Sequence, residues 1–449
     1  MSFDKNYFIN KLEENELKIC VVGLGKMGLP IAMVFSNSNY NVIGYDISKQ
    51  LVDKLNHAKT NLNAEPFVQE RLTKSINNGN FKAYYEVNEQ VLDADVFVII
   101  IPILNNEQGE QNLKILLDLY EQISSKLNKH ALFIQESTLA PKTCKNQIWP
   151  ILVQNSEKSN EKNQFGLVFA PERTFSGRVI EDIENNYPKI IGGMEKEHAY
   201  VAKQIYERFI KKGVIVVSDT TTAEAIKTFK GAYRDINIAI ANQMAEMADN
   251  YDVDILEVID VANTEPFSNI HTPGMGVGGH CIPVYPKFLI HDSNKIGFNP
   301  TLMSESRQIN DNMVKYCVDQ LSKYQEKIKN ILILGLAYRG GVKEFRNSPT
   351  LNLLNHIKKL IPNEIKIIDP LYTKDEINNI MESDIGYDYN TVEYSRYDTI
   401  IIVTDHSEFK EMNISLLEGK IIYDGRFIFK DLTINNSIVI QPGRGTKSY

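Results

Sequence analysis

The stretch from residue 19 to residue 35 constrains the fold of this chain more than any other part of the sequence. Residues 19–22 form a short apolar run, rich in β-branched side chains, that predicts a buried parallel strand. The run Gly23-Leu24-Gly25-Lys26-Met27-Gly28 follows and leads into an apolar segment that predicts a helix. A strand, G-x-G-x-x-G and a helix in this order are typical of a dinucleotide-binding βαβ unit.

The second predicted strand, residues 41–45, ends at Asp46. An acid at this place accepts both ribose hydroxyls of an adenosine and repels a 2′-phosphate, which favours NAD over NADP. The predicted strands at 95–101 and 131–135 end in polar or proline-bearing loops at the same ligand-binding edge of the sheet. A glycine-tolerant βαβ unit without a cofactor is the alternative. We predict that NAD is bound by Gly23, Gly25, Lys26, Met27, Gly28, Asp46, Pro102, Ser137 and Thr138.

Length and charge narrow the class of protein. The 449 residues predict two or three domains, and the formal charge of −8 comes without a basic stripe for nucleic acid. The four cysteines are far apart and lack CxxC spacing, which fits a reducing compartment. The sequence shows neither a signal peptide nor an apolar run long enough for a membrane helix. We therefore predict a cytoplasmic protein with no nucleic-acid partner, no membrane partner and no metal site.

Residues 223–251 predict one long helix, because apolar residues recur at spacings of three and four and Gly231 is the only glycine or proline. About 29 residues would span roughly 43 Å, which exceeds the usual helix length. We expect this helix to join domains or to form the face of a homodimer. Lys227, Gly231 and Arg234 share one stripe of it, and Gly231 is expected to let a ligand approach the helix backbone.

A glycine-rich run, residues 274–283, ends in Cys-Ile-Pro. Such a loop predicts a ligand held against the main chain and a thiol, Cys281, presented to it. The alternative at this point is an inert cysteine that packs as a small apolar residue. Another apolar run, residues 167–170, leads into Pro171-Glu172-Arg173, which places Glu172 and Arg173 at a strand end, where function concentrates.

The last third predicts a second α/β sheet, with strands at 331–334, 364–368, 398–403 and 420–423 separated by helical patterns. This part lacks G-x-G-x-x-G, so we do not expect it to bind a second dinucleotide. Its strand-end residues suit a phosphate-bearing ligand, because arginine binds phosphate with two hydrogen bonds. These residues are Tyr338, Arg339, Arg346, Asp405 and Arg426.

With these motifs in place, the chain resembles the nucleotide-sugar 6-dehydrogenases of the UDP-glucose/GDP-mannose dehydrogenase family. The resemblance covers about residues 18–426 and rests on GLGKMGLP, ESTLAPKT, APERTFSG, AEAIKTFKGAYRDINIAIAN, GMGVGGHCIPVYP, GLAYRGGVKEFRNSP and TDHSEF. It implies two Rossmann-like doubly wound sheets joined by a long central helix and a helical domain. The implied domains are an NAD-binding domain at 1–218, a central dimerisation domain at 219–327 and a UDP-sugar-binding domain at 328–449.

The resemblance also implies the activity and the roles of single residues. The activity is a four-electron oxidation of a UDP-sugar at C6 with NAD, and GGHC favours the N-acetylhexosamine branch over UDP-glucose. Cys281 would be the nucleophile that forms a thiohemiacetal and a thioester, Lys227 would stabilise the oxyanion, Glu172 would assist proton transfer and Thr138 would position water. The implied substrate-binding residues are Glu172, Arg173, Lys227, Arg234, Asn237, Gly276, Gly278, Gly279, Tyr338, Arg339 and Arg346.

Three positions depart from the family pattern. Tyr285 stands where the family commonly has an acid four residues after the cysteine, and Gly231 stands where it commonly has Asn four residues after the lysine. The loop at 102–104 is Pro-Ile-Leu instead of Pro-Thr-Pro. Two other classes of protein stay open. One is a two-electron β-hydroxyacid dehydrogenase, which shares the GLGxMG opening and a lysine on the long helix. The other, suggested by Tyr285 and Gly231, is a binding protein that keeps nucleotide and NAD but has lost the chemistry.

Overall fold

The computed structural model describes residues 3–62, 65–106, 108–158 and 164–448. The chain forms two compact units, Met1–Lys230 and Gly231–Tyr449. Each unit contains one sheet with mostly parallel strands. The predicted fold class, two Rossmann-like sheets with a long helix in the middle of the chain, is confirmed.

The first unit is built on an eight-stranded sheet in the order β3-β2-β1-β4-β5-β6-β7-β8. The first six strands in chain order have the arrangement of a dinucleotide-binding fold, whose switch point lies between β1 and β4. Neighbouring strands are parallel except for the antiparallel pair β6–β7. The strands are β1 Lys18–Val22, β2 Asn41–Tyr45, β3 Phe81–Tyr84, β4 Val96–Ile99, β5 Ala131–Gln135, β6 Phe165–Phe169, β7 Lys189–Gly193 and β8 Val214–Val217.

Helices connect these strands and bury both faces of the sheet in two apolar clusters. A π-helix at Cys144–Ile148 leads into α7, and another at Asp182–Asn186 follows α8. The α-helices are α1 Lys5–Glu13, α2 Gly28–Asn37, α3 Lys49–Asn56, α4 Val68–Asn77, α5 Glu89–Leu92, α6 Lys114–Ser124, α7 Trp149–Lys158, α8 Val179–Glu181 and α9 Lys196–Tyr206.

Helix α10, Thr220–Tyr251, is 32 residues long and runs from the end of the first unit into the second. It confirms the predicted long helix and begins three residues before the predicted start. At 1.5 Å per residue its length is about 48 Å.

The second unit contains a six-stranded sheet in the order β10-β9-β11-β12-β13-β14, parallel except for the last pair. The central strands are almost wholly isoleucine and leucine because both faces are covered. The strands are β9 Asn330–Leu334, β10 Glu364–Ile368, β11 Thr399–Ile402, β12 Ile421–Asp424, β13 Ile438–Ile440 and β14 Thr446–Ser448. The α-helices are α11 Ile255–Ala262, α12 Tyr285–Lys295, α13 Thr301–Ser322, α14 Pro349–Ile357, α15 Lys374–Met381 and α16 Ser407–Lys410.

Short 3₁₀ turns complete the second unit, at Gln325–Lys327, Lys358–Leu360, Tyr389–Thr391, Tyr394–Arg396 and Ile414–Leu417. Among the residues that the structure describes, every helix is too short or too polar to span a membrane.

Candidate active site

The glycine loop after β1 leaves space for a ligand at one position. Gly23 has a positive φ of +90°, and a Cβ there would lie 2.7 Å from the carbonyl oxygen of Ile100. A Cβ on Gly28 would lie 1.7 Å from the carbonyl oxygen of Gly23, so the turn itself requires both glycines. A Cβ on Gly25 would meet no atom within 4 Å. Gly25 is therefore the position at which a pyrophosphate can approach the start of α2.

Asp46, at the end of β2, is tied to this loop. Its Oδ2 accepts a hydrogen bond of 2.9 Å from the amide of Leu24, and its Oδ1 accepts one of 2.9 Å from the amide of Ser48. The side chain is half-buried. A carboxylate has about four acceptor positions, so Asp46 can still receive two hydroxyl groups.

The loops after β4 and β5 lie at the same edge of the sheet as Gly23, because β1, β4 and β5 are parallel neighbours. Pro102 is exposed, Ser137 is buried and Thr138 is half-buried. The side chain of Gln111 holds the second loop: its Nε2 donates to the carbonyl of Thr138 (3.3 Å), and its Oε1 accepts from the amide of Ala140 (2.7 Å). The sheet thus brings together the residues predicted to bind NAD.

Glu172 lies after β6 in a buried cluster that the sequence did not predict. Its carboxylate pairs with the ammonium group of Lys189, which also lies 2.7 Å from Oε1 of Glu136. The hydroxyl of Tyr206 donates to the same oxygen of Glu136. The Glu172 side chain is only 10% exposed. The cluster holds Glu172 in one orientation at the carboxyl end of the sheet.

The cluster contains two carboxyl groups and one ammonium group. Lys189 can therefore balance the charge of only one of the two carboxylates. Burial, and then the charge of Glu172, raise the pKa of Glu136 to about 7 against the opposing effect of Lys189. Burial alone would lower the pKa of Lys189, but the two carboxylates raise it above its ordinary value. Lys189 is therefore the cation of the cluster, and burial favours the protonated form of Glu136.

Lys227, on α10, donates a hydrogen bond to the main-chain carbonyl of Glu172. The structure therefore brings together Lys227 and Glu172, two of the residues predicted to be catalytic. Arg173 points elsewhere: it donates to the carbonyl of Pro188 and stacks on the ring of Tyr187, with 5.9 Å between guanidinium carbon and ring centre. Burial lowers the pKa of Arg173. Arg173 supports this loop from within the first unit.

In the second unit, the glycine-rich loop packs on the loop that follows β9. A Cβ on Gly278 would lie 2.6 Å from Cβ of Tyr338, so only glycine fits there. The amide of Gly279 donates to the carbonyl of Arg346 (2.9 Å), and its carbonyl accepts from Nδ2 of Asn347 (2.9 Å). Four residues predicted to bind substrate thus lie together, with Asn347 as an unpredicted member of the group.

The other residues predicted to bind substrate make different contacts. A Cβ on Gly276 would lie 3.4 Å from Cγ of Pro349. Arg339 Nε donates to the hydroxyl of Tyr338 (3.2 Å). Arg234 is half-buried on α10, and Asn237 donates to a main-chain carbonyl of the preceding helical turn (2.6 Å).

Two of the strand-end residues in the second unit serve the fold. Arg426 donates to the carbonyl of Val403 (2.6 Å) and to that of Tyr338 (3.2 Å), and burial lowers its pKa. Asp405 accepts the amide of Gly340 (2.8 Å). The contacts with Tyr338 and Gly340 fix the loop after β9.

A buried polar network fixes the start of the glycine-rich loop. Asn242 on α10 accepts from the amide of Gly274 (2.9 Å) and donates to Oδ1 of Asn310 (2.8 Å). Asn310 in turn donates to Asp235 (2.8 Å), which pairs with Arg307. Burial raises the pKa of Asp235 to about 6 against the effect of Arg307. The sequence contains the polar residues of this network but no local signal that pairs them.

Cys281 is exposed, whereas Cys20, Cys144 and Cys317 are buried. The hydroxyl of Tyr285 lies 3.0 Å from its Sγ. The ring of Tyr285 fills the space beside Gly231: a Cβ there would lie 2.6 Å from Cδ2 of the ring. The expectation that Gly231 lets a ligand approach the helix backbone is therefore wrong, because an aromatic side chain of the same unit occupies that space.

Across the described ranges, no three His, Cys, Asp or Glu side chains converge in a way that could hold a metal ion.

Comparison with known families gives three consecutive matches. Residues 17–210 match the NAD binding domain of the UDP-glucose/GDP-mannose dehydrogenase family, residues 221–312 match its central domain and residues 332–431 match its UDP binding domain.

Individual proteins are similar over nearly their whole length. The UDP-N-acetyl-D-mannosamine dehydrogenase of Pyrococcus horikoshii is 35% identical over 429 residues, which cover 92% of this chain and 96% of that protein. The solved structure of the P. horikoshii enzyme superposes with a TM-score of 0.84 at 32% identity, over 96% of this chain and 100% of that one. A UDP-N-acetyl-mannosamine dehydrogenase from Staphylococcus aureus gives a TM-score of 0.80 at 30% identity, over 95% and 99% of the two chains.

Proposed function

Because this chain belongs to the UDP-glucose/GDP-mannose dehydrogenase family, we propose that it oxidises the C6 hydroxymethyl group of a UDP-N-acetylhexosamine to a carboxylate. The protein is an NAD-dependent UDP-sugar dehydrogenase, an oxidoreductase. The names of its similar relatives favour UDP-N-acetylmannosamine as the substrate. UDP-N-acetylglucosamine and UDP-glucose are the alternatives.

The observation that carries this proposal is an exposed thiol on a glycine-rich loop that packs against the carboxyl edge of the second sheet. Only Cys281 among the four cysteines has an exposed side chain. The loop residues before it contact the strand-end residues of the unit that matches the UDP binding domain. This arrangement suits a thiol that reacts with a sugar whose nucleotide is bound at the strand ends.

The residues of the first unit fit NAD. Gly25 has free space for the pyrophosphate, and Asp46 has acceptor positions for the ribose hydroxyls. When bound, NAD supplies the acceptor for the two hydrides that the oxidation releases. Overall, one alcohol, one water and two NAD⁺ give one carboxylate, two NADH and three protons.

We propose that Cys281 performs the second half of this oxidation. Its sulfur forms a C–S bond with the aldehyde carbon, which gives a thiohemiacetal that can lose the second hydride. The thioester that results is attacked by water: a C–O bond forms, the C–S bond breaks and the thiol is restored. The covalent step keeps the aldehyde on the protein between the two oxidations.

Three residues of the first unit are proposed to assist. The ammonium group of Lys227 would donate to the oxygen on which negative charge develops. Glu172 would exchange protons with the attacking water, since Lys189 holds its carboxylate in place. Thr138 would position that water. The contact between Lys227 and the main chain of Glu172 supports a shared role for the two.

The UDP-sugar itself is proposed to bind at the second unit through Tyr338, Arg339 and Arg346. Gly276, Gly278 and Gly279 would lie against it, and Arg234 and Asn237 on α10 would contact the sugar. The division into an NAD-binding domain at 1–218, a central domain at 219–327 and a UDP-sugar-binding domain at 328–449 is part of the same proposal. The three family matches support that order.

We also propose a homodimer formed through α10 and its neighbour α11. Large apolar side chains are exposed on both, with Tyr251 at 70% and Val261 at 66% exposure. Exposed apolar residues on a long helix are typical of a subunit interface. The unpaired cysteines favour a reducing compartment, and we propose the cytoplasm.

The test is the number of NADH molecules formed per sugar consumed, with UDP-N-acetylmannosamine, UDP-N-acetylglucosamine and UDP-glucose offered separately with NAD⁺. We expect two NADH and a uronic acid from UDP-N-acetylmannosamine. The control is Cys281→Ser, which should give no uronic acid because the thioester cannot form. One NADH with a released aldehyde from the unaltered protein would contradict the covalent half of the proposal. Binding of NAD and sugar without NADH would favour the degenerate binding protein.

A further inference from the structure

We infer that Tyr285 is a positioning residue for Cys281, whose sulfur it holds with a hydrogen bond and stabilises in the anionic form. The inference rests on the proposed function only in taking Cys281 as the nucleophile. It assigns a role to a tyrosine at a position where the family commonly has an acid.

The backbone sets the two side chains on one face. The main-chain carbonyl of Cys281 accepts a hydrogen bond from the amide of Tyr285 (3.0 Å), so residues 281–285 form a helical turn at the start of α12. Side chains four residues apart on such a turn are neighbours. The Tyr285 hydroxyl consequently reaches the sulfur at 3.0 Å.

Gly231 fixes the ring from the opposite side. A Cβ at this position would lie 2.6 Å from Cδ2 and 3.2 Å from Cβ of Tyr285, closer than carbon atoms pack. Tyr285 is itself buried, and its ring packs beside that of Phe288, with 6.0 Å between ring centres. The two departures from the family pattern are therefore in direct contact, and the glycine is what allows the tyrosine.

The replacement changes the chemistry next to the sulfur. A carboxylate is an acceptor and a negative charge, whereas a phenol has a hydrogen-bond donor and is uncharged. Donation to a thiolate favours the anion, and a neighbouring carboxylate disfavours it. Cys281 also precedes α12, and the N-terminus of a helix favours a thiolate. Tyr285 thus stabilises the nucleophile.

The effect of other charged groups on the Cys281 thiol must be distinguished from that of Tyr285. His280 is one of them, and its Nε2 lies 2.9 Å from Oε2 of Glu344. Along the chain of the second unit, the others are Arg234, three residues after Gly231 on α10, and Lys287, two residues after Tyr285 on α12.

The first test measures the rate at which iodoacetamide alkylates Cys281 as a function of pH, in the full-length protein without substrate. In Tyr285→Phe we expect the pH of half-maximal rate to rise by about one unit, which lowers the rate at pH 7 by about tenfold. This variant removes one oxygen atom and leaves the packing intact. Gly231→Ala should also raise the pH of half-maximal rate, because the added methyl group displaces the Tyr285 ring.

Three matched variants serve as controls. Tyr233→Phe changes an exposed tyrosine of α10 and should leave the profile unchanged. His280→Gln removes the neighbouring imidazole. In this background, Tyr285→Phe should still shift the pH of half-maximal rate by the same amount. Cys281→Ser should abolish the reaction, because the other cysteines are buried. A profile that is the same with Tyr285→Phe as without it would overturn the inference.

The second test is a double-mutant cycle toward the family pattern. Gly231→Asn alone should lower the apparent melting temperature, since the amide collides with the Tyr285 ring. Tyr285→Asp removes that ring, so the same Gly231→Asn change should cost less stability in the Tyr285→Asp background. Equal losses in both backgrounds would contradict the proposed contact.

The alkylation and NADH measurements also separate this inference from the proposed function. A shifted alkylation profile in a protein that makes no uronic acid would support the Tyr285 role and reject the proposed function. Two NADH per sugar with an unshifted profile would support the function and reject the Tyr285 role.

Discussion

The loops that follow the first strands of the two sheets have the same local geometry but different capacities to bind a ligand. After β1, the amide of Leu24 donates to Oδ2 of Asp46, the acid at the end of β2 (2.9 Å). After β9, the amide of Leu336 donates to Oδ2 of Asp369, the acid at the end of β10 (2.8 Å). Each sheet therefore places a carboxylate in the position at which a dinucleotide fold binds ribose.

The two carboxylates differ in what surrounds them. Asp46 is half-buried, whereas Asp369 is fully buried, also accepts the amide of Ala337 (2.9 Å) and lies 3.2 Å from Nε2 of His406. Burial alone would raise the pKa of Asp369, but the hydrogen bond from His406 and those from main-chain amides hold it below its ordinary value. The acceptor positions of Asp369 are thus occupied by donors of the protein itself.

The chain that follows differs as well. In the first unit α2 begins at Gly28, immediately after the loop, and Gly25 leaves space before it. In the second unit Ala337 takes the corresponding place, and α14 begins only at Pro349. A shared βαβ scaffold therefore does not specify a cofactor site; an accessible acid and an open helix N-terminus do.

The largest effect is expected from Asp369→Ala. It removes a buried carboxylate and leaves His406 and the main-chain amides of Leu336, Ala337 and Leu371 without their acceptor. A buried donor left without its acceptor typically costs about 1–3 kcal/mol, and several are affected at once, so denaturant unfolding should show a markedly destabilised protein. The matched control, Asp46→Ala, should change the unfolding midpoint far less. Equal destabilisation by the two would mean that Asp46 supports the fold as much as Asp369 does.

The buried acids of the two units should also respond to pH with opposite signs. Glu136 has a raised pKa of about 7 against an ordinary 4.5, so its contribution to stability falls as pH rises from 4.5 through 7. Asp369 has a lowered pKa, so its contribution is present above 3.8 and is lost as pH falls through the folded value.

Glu136→Gln tests the expected pH dependence of the Glu136 contribution to stability. Relative to the unaltered protein, the variant should gain up to about 3 kcal/mol of stability between pH 5 and pH 8, because the amide does not ionise. Apparent melting temperatures at the two pH values provide the measurement. A constant difference between variant and unaltered protein would mean that Glu136 stays ionised across this range.

Asp46→Ala should weaken NAD binding at nearly unchanged stability. The loss of hydrogen bonds from ribose hydroxyls to a charged acceptor is worth about 1.5–3 kcal/mol, or roughly a 10- to 150-fold rise in Kd. Titration with NAD⁺ measures it, and Asp53→Ala, an exposed acid on α3, is the control. An unchanged Kd would remove Asp46 from the cofactor site.

The smallest effect is expected from Ala337→Gly, which gives the second loop the glycine that Gly25 provides in the first. We expect a loss of about 1 kcal/mol from the deleted buried methyl group and no second NAD site, because Asp369 stays engaged. Binding stoichiometry by calorimetry decides this. A second equivalent of bound NAD⁺ would show that the glycine, and not the buried acid, makes the difference.

Much of the fold was predictable because its signals are local. The β-branched runs, the helical periodicity of α10 and the glycines after β1 lie within short windows of sequence, and the structure forms strands and helices there. Helix α1 and strands β3, β7, β8, β13 and β14 were not predicted. Strand β8 was missed although Val214–Val217 is a β-branched run; its Ile215 and Val216 are about half exposed, at 49% and 45%.

The site was predictable only where a motif fixes it. Asp46 and Gly25 follow from the order of strand, glycines, helix and strand, and Cys281 follows from its loop. The pairing of Glu172 with Lys189 and Glu136 was not predictable, because its members come from three different strand ends. Burial decides which charges meet there, and sequence does not report burial for single polar residues.

Two doubly wound sheets, an NAD-type loop on the first and a thiol on a glycine-rich loop could be inferred from the sequence, because these depend on residue order and period. What the unusual residues contact depends on tertiary packing. Gly231 and Tyr285 lie on different helices, so their contact depends on how α12 packs on α10. Asp46 and Asp369 end equivalent strands, and packing alone leaves one accessible and buries the other beside His406.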